Sequence, residues 1–341
     1  MGKKILAFRF SAMGDVAMTV PVIKELLSHY PDTEITFVSR PLFAAFFEGI
    51  PGVKFYGVDL DQYKGFWGLR RLYKQLKNDV EFDMVADLHN VLRTRILRLF
   101  FRLSKVPVAK IGKGRTAKRK LTRKQNKQLK PLKLMVQRYA DVFNELDFSF
   151  ELENKLQRRP QPLEDRIIAA LGQKKSNWIG IAPFAKHKPK RMPFHKAEEV
   201  IQRLSALPNV RILLFGGGKV EKLKLEEIES EFRHVYSVAG KLTMHQELNL
   251  ISHLDVMVSM DSANMHLASM MGVPVVSVWG ATHPYVGFLG YGQSGTDTVQ
   301  HEIECRPCSA FGNKVCFRGD HACLEHIDTE EILQKVSKFL M

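Results

Sequence analysis

The chain has no run of 18 or more apolar residues, so nothing in it reads as an ordinary membrane-spanning helix. Cysteine is missing from everything before Cys305; the four present, Cys305, Cys308, Cys316 and Cys323, fall close together near the C-terminus. That clustering leaves no disulfide framework for the rest of the chain. Acidic residues are absent between Asp87 and Asp141, where lysine and arginine number 17. The N-terminal MGKKILAF is interrupted by Arg9 and lacks both a long apolar region and a small-residue cleavage site. It reads as a strand and not as a secretory signal, and a cytoplasmic, reducing setting is expected.

What is present is a balanced composition, 45% hydrophobic and 26% charged over 341 residues, enough for two ordinary domains. The formal net charge is +15, yet without the 17 cations of the acid-free stretch the chain is close to neutral. Such a stretch is either a solvated loop or a binding face for a polyanion: nucleic acid, a phosphorylated glycolipid or an anionic membrane surface. No helix-turn-helix, zinc-finger or RNP-like pattern accompanies it, so nucleic acid is not expected. The cysteine spacing C-x2-C-x7-C-x6-C supplies four soft ligands, the number a structural zinc needs. The second pair lacks the tight C-x2-C spacing, and free thiols in a compact loop are the default reading.

Short apolar strands alternate with helical stretches along the whole chain. Strands are expected at 4–10, 33–39, 53–58, 84–88 and 106–111, the last an edge strand because Pro107 lies in it. A second series is expected at 178–183, 210–215, 235–238, 256–259 and 273–279. Helices are expected between them, among others at 16–30, 68–77, 132–146, 196–206, 219–232, 244–254 and 264–271. The polar, proline-containing stretch Glu151–Glu164 separates the series. The expectation is an α/β protein with two Rossmann-like parallel-sheet domains, 1–155 and 165–327, facing an interdomain cleft. A terminal helix at 328–341, opened by Asp328, is expected to pack back on the N-terminal domain.

Four segments carry chemistry. In Arg9–Val16 (RFSAMGDV), Gly14 allows a sharp turn after the first strand and Asp15 falls near a helix start. Asp15 is a plain helix cap or a carboxylate that takes the proton from an attacking sugar hydroxyl. In Ser259–His266 (SMDSANMH), Ser262 and His266 lie four apart on one helical face, at a terminus able to hold phosphate through backbone N–H groups. Asp261 would repel phosphate there and suits sugar hydroxyls better, while His266 taken alone is as readily a structural histidine. The third segment, Pro183–Pro193 (PFAKHKPKRMP), offers cations for a departing diphosphate or ordinary surface lysines. The fourth, Phe215–Gly218 (FGGG), is a weak nucleotide signal and does not match G-x-G-x-x-G, which disfavours an NAD enzyme.

Taken in order, RFSAMGDVAMTVP (9–21), PFA…KRMP (183–193), DSANMHLASMMGVP (261–274) and VWGATHP (278–284) resemble the lipopolysaccharide heptosyltransferases of glycosyltransferase family 9. That family has the two-Rossmann GT-B fold and transfers sugar with inversion. The resemblance implies Asp15 as general base and Lys190 as the lysine that contacts the diphosphate. It implies donor binding by Asp261, Ser262, Ala263 and His266, with Glu221 at the ribose and Leu242 near the base. It implies ADP-heptose as donor, no required cofactor or metal, and the phosphorylated core of a glycolipid as acceptor. The acceptor would be met by Lys113, Arg115, Arg119 and Lys120, in peripheral contact with the inner face of an anionic inner membrane. Met192 and Ala263 depart from the tryptophan and glycine common in the family, and Ala263 leaves a different nucleotide-sugar donor as the alternative. A polyanion-binding protein is the remaining one.

Overall fold

A computed structural model describes residues 2–340. They form two compact units, one running to Lys113 and including Met135–Glu153, the other made of Gly114–Leu134 and the chain from Asn154 onward. The sequence reading put residues 114–134 in the first domain; the structure groups them with the second for identifiable reasons. Lys118 Nζ lies 4.1 Å from the Phe288 ring centroid, and Lys124 Nζ lies 4.4 Å from that of Phe317. Lys127 Nζ donates to the carbonyls of Glu304 and Arg306 at 3.0 and 2.8 Å. These three lysines of the basic stretch therefore fasten the segment to the second unit, Lys124 and Lys127 at the cysteine-bearing loop.

The first unit is built on strands β1 (Lys4–Phe8), β2 (Glu34–Ser39), β3 (Val53–Gly57), β4 (Met84–Asp87) and β5 (Val108–Lys110). All pair in parallel in the order β3-β2-β1-β4-β5. Pro107 sits just before β5, which is an edge strand as its missing N–H requires. Phe8 is in register with both Val38 and Asp87, so β1 and β4 end side by side. The strand order reverses between β1 and β4, the place where open parallel sheets leave room for a ligand beyond their carboxyl ends.

The second sheet contains β6 (Asn177–Ala182), β7 (Val210–Leu214), β8 (Val235–Ser237), β9 (Val256–Met260), β10 (Val275–Trp279) and β11 (Thr298–Gln300). Its order is β11-β10-β9-β6-β7-β8, again all parallel, with the reversal between β6 and β9. Three-residue β11 was not anticipated.

The expected helix at 16–30 is two helices, Met13–Ala17 and Thr19–His29, and helices at Leu92–Leu103, Arg115–Leu121 and Asp165–Leu171 are additional. The terminal helix Thr329–Ser337 is capped by Asp328, whose Oδ1 accepts from Glu330 N–H at 2.9 Å. Its Ile332 and Val336 are buried in the second unit's own core.

Candidate functional site

In the first unit the chain leaves β1 into Arg9, whose N–H donates to Val38 and whose carbonyl accepts from Ser39 Oγ. This locks the residue beside the sheet, and its side chain is only 5% exposed. The guanidinium has two partners across the switch point, the Leu88 carbonyl at 2.5 Å and Asp15 Oδ2 at 2.7 Å. Burial works against that charge, but Asp15, Tyr139 and Asp87 around it hold the pKa above the ordinary value. Asp15 sits in the first turn of helix Met13–Ala17, where the positive end of the helix favours a carboxylate. Its Oδ2 also accepts from Ala12 N–H at 3.3 Å. Asp15 is therefore not the N-cap residue; it reaches back to that position from within the turn. Its side chain keeps 25% exposure.

Around the pair stand residues that the sequence did not single out. Tyr139 is buried below Arg9, with its ring centroid 5.5 Å from Cζ, and its hydroxyl donates to the Asp15 carbonyl at 3.3 Å. Burial pushes its phenol pKa up, so it stays a neutral donor. Asp87, fully buried at the end of β4, accepts from the N–H groups of His89 and Asn90 and lies 3.3 Å from Arg98 Nε. His89 is thereby turned toward Phe10 and Ser11. Burial, with Arg9 and Lys113 adding to it, lowers its pKa to about 3. It is a neutral imidazole whose Nδ1 accepts from Phe10 N–H at 3.4 Å, which puts the proton on Nε2, 3.5 Å from Ser11 Oγ. The visible signal for this cluster was an Asp-x-His-Asn sequence at a strand end.

In the second unit, β9 ends at Met260 and delivers Asp261, buried, to the switch point. Asp261 Oδ2 accepts from Thr282 Oγ1 at 2.8 Å and from Lys190 Nζ at 2.9 Å. The structure thus gives Asp261 protein partners where the sequence reading gave it sugar hydroxyls. Lys190 comes from the loop after β6, in the short turn Lys188–Lys190. Its stem passes over Gly312, where an added Cβ would stand 2.2 Å from Lys190 Cδ. With φ +73°, Gly312 is also in the left-handed region, so glycine is needed there twice over. Thr282 is fixed in turn by Arg306, a buried side chain whose guanidinium donates to the carbonyls of Gly280 and Thr282 at 2.6 and 3.0 Å. The cysteine-bearing loop therefore has a structural role in backing Lys190 and Thr282.

Beyond Asp261 the helix Ala263–Met270 begins, with Ser262 at its N-cap position and Ala263 as its first residue, both half-buried. Ser262 Oγ lies 3.2 Å from Ser259 Oγ, and His266 is buried one turn on. Glu221, in the first turn of helix Lys219–Glu231, accepts from Gly217 N–H at 2.9 Å and lies 3.8 Å from Arg191. A Cβ on Gly216 would meet Leu225 at 2.9 Å, which explains one glycine of the run by packing. Leu242 is half-buried just before Thr243, the N-cap of helix Met244–Ser252.

The acceptor-side cations divide: Lys113 ends a segment of the first unit, while Arg115, Arg119 and Lys120 are exposed on helix Arg115–Leu121 in the second. The cysteines are free thiols, and burial pushes Cys323 up to about 12. Among the described residues no three His, Cys, Asp or Glu side chains are arranged to hold a metal.

Comparison with known proteins bears on this arrangement. The model of glycosyltransferase family 9 (heptosyltransferase) matches residues 69–315. The lipopolysaccharide core heptosyltransferase OpsX of Haemophilus influenzae is 24% identical over 290 residues, 83% of this chain and 80% of that protein. Among solved structures, a family 9 glycosyl transferase from Veillonella parvula superposes with a TM-score of 0.75 at 16% identity, covering 99% of this chain and 97% of that one. Escherichia coli heptosyltransferase WaaC with ADP gives 0.67 at 17% identity, covering 98% and 99%. The fold is thus that of the GT-B heptosyltransferases: two parallel sheets, each covered by helices.

Proposed function

The chain belongs to glycosyltransferase family 9 (heptosyltransferase), and on that premise we propose that it moves a heptose from ADP-heptose, with inversion, onto the phosphorylated core of lipopolysaccharide. The observation that carries the mechanism is the Arg9–Asp15 pair. The cation is buried and the carboxylate partly exposed, so Asp15 is held in one orientation yet open to substrate.

In the proposed reaction the acceptor oxygen attacks the anomeric carbon on the face opposite the diphosphate, through an oxocarbenium-like state. Asp15 takes the hydroxyl proton as the new C–O bond forms. The bond from the anomeric carbon to the diphosphate breaks, and ADP leaves with the electron pair. Lys190 and the N–H groups that open helix Ala263–Met270 take up the charge growing on the diphosphate. Asp261 and Thr282 act as positioning groups, keeping the ammonium in place. Glu221 binds the ribose and Leu242 borders the base. Ser262 and His266 line the sugar and phosphate site, and Lys190 supplies the positive charge for which many transferases use a divalent metal.

The acceptor's phosphates are met by Lys113, Arg115, Arg119 and Lys120, and the enzyme works in peripheral contact with the anionic inner leaflet on the cytoplasmic side. Transfer is measured with purified ADP-heptose and acceptor, and the anomeric configuration of the product by NMR. Inverted product from wild type, and transfer slower by about 10²-fold or more in a folded Asp15→Asn variant that still binds ADP, is the expected result. Retention of configuration, or full turnover by that variant, overturns the assignment.

A further inference from the structure

We propose that the outer face of helices Gly65–Asp79 and Leu92–Leu103 is a docking surface for an anionic phospholipid bilayer. The proposal deepens the reading of a lipid-borne acceptor, on which it rests for its purpose, by assigning the surface that meets the membrane.

The two helices share an orientation. Leu69, Leu72 and Leu76 of the first, and Leu97, Phe100 and Phe101 of the second, enter one core cluster with Leu6, Phe8 and Val85 of the sheet. They also pack against each other: the rings of Phe66 and Phe100 lie 5.2 Å apart, and those of Tyr73 and Phe101 5.1 Å apart. With both inner faces on one side of one sheet, both outer faces look the same way.

That common face is unusually apolar for a helix exterior. Trp67 is 71% exposed, Leu92 74% and Leu103 73%, and Phe66 and Leu99 are exposed beside them. Leu92, Leu99 and Leu103 recur at helical spacing, so they form a stripe and not scattered residues. Between them stand exposed Arg70, Arg71, Lys74, Arg95 and Arg102. Helix Leu92–Leu103 contains no acid, and the only acid of the other, Asp79 at its end, accepts from Tyr56 Oη at 2.7 Å. A pocket of about 390 Å³ opens here, lined by Lys64, Trp67, Gly68, Arg70, Arg71 and Lys74. Its size and cationic walls suit a phosphate-bearing headgroup, with the Trp67 ring 5.9 Å from Arg70 Cζ.

Charge and apolarity together select the occupant. Arginine and lysine stems bury carbon while holding their charge at headgroup level, and exposed tryptophan and leucine enter the acyl boundary. A second copy would set arginine against arginine, and a nucleic acid would leave the leucine stripe in water. No helix among the described residues is long and apolar enough to cross a membrane, so such a face would lie on the bilayer.

The test uses the full chain with no donor and no acceptor. Trp178 and Trp279 are fully buried, so a change in tryptophan emission reports on Trp67. Vesicles of phosphatidylglycerol in phosphatidylcholine are expected to shift emission to the blue and to co-sediment the protein. Pure phosphatidylcholine vesicles do neither, and added salt weakens the effect. Arg70→Gln with Lys74→Gln is expected to lower partitioning about 30-fold, from about 1 kcal/mol for each basic residue near the surface. Leu99→Ser with Leu103→Ser is expected to lower it as well, and Trp67→Phe to abolish the emission shift. Equal binding to neutral vesicles, unchanged binding by both double variants, a dimer that shields Trp67 without vesicles, or a response to polynucleotide alone each overturns the proposal. Transfer to a water-soluble, delipidated acceptor should be untouched in these variants. Failure of wild type in that assay counts against the proposed reaction and leaves the vesicle result standing.

Discussion

Each unit sets beside the switch point of its sheet an acid–base pair with one member less buried than the other, Arg9–Asp15 in the first and Lys190–Asp261 in the second, and the two are built in opposite senses. In the first unit the cation is the hidden partner: Arg9 is 5% exposed and Asp15 25%. In the second the acid is hidden: Asp261 is 7% exposed and Lys190 15%. An ion pair of this kind presents the member that remains accessible, and the buried member fixes its position. The first unit thus presents a carboxylate suited to receive a proton, and the second an ammonium suited to an anionic leaving group. The same device serves both halves of a displacement reaction, with the sign reversed.

The presented members, Asp15 and Lys190, carry the largest expected effects. Asp15→Asn removes the base and is expected to lower kcat by about 10²- to 10⁴-fold, measured in the transfer assay. Because Arg9 then lacks its anionic partner, the variant's melting temperature is checked alongside, and it is expected to fall. Lys190→Ala is expected to cost about 10²- to 10³-fold in kcat and to weaken ADP binding as well, read by calorimetry. A smaller effect is expected at Gly312→Ala. The new methyl meets the stem of Lys190, so ADP affinity should fall with Asp15 untouched; an unchanged affinity would show that Lys190 does not depend on that loop.

In the first unit, His89 makes stability depend on pH. Folded His89 protonates only near pH 3, whereas the unfolded side chain protonates near its ordinary 6.5. Between those values the unfolded state binds the extra proton. Stability therefore falls as pH drops from about 6.5 toward 3, by up to about 1.4 kcal/mol per pH unit from this residue. Denaturant titrations of wild type and His89→Gln should differ in that slope below pH 6.5 and run parallel above about pH 7. Equal slopes would mean that His89 is not held neutral.

Much of this was legible before the fold was known. Apolar strands separated by amphipathic stretches pointed to the two parallel sheets, and Gly14 beside Asp15 marked a strand end. The misses have physical causes. Helix Leu92–Leu103 carries Arg93, Arg95, Arg98 and Arg102, so its apolar periodicity was masked by charge on both faces, including the buried Arg98. β11 carries Val299 as its single aliphatic residue, between Thr298 and Gln300, so no apolar run marks it. The two ion pairs were invisible for different reasons. A buried arginine runs against the usual partition of charged residues, and Lys190 meets Asp261 only because parallel crossovers bring two distant loops to one sheet edge. The placement of residues 114–134 turned on lysines lying over aromatic rings, contacts that leave no spacing signature.

Opposite duties of the two pairs are separated by measuring ADP affinity in Asp15→Asn and Lys190→Ala side by side. Wild-type affinity is expected in the first, though its turnover is far slower, and clearly weaker affinity in the second. Equal weakening in both, or weakening in Asp15→Asn alone, would contradict it.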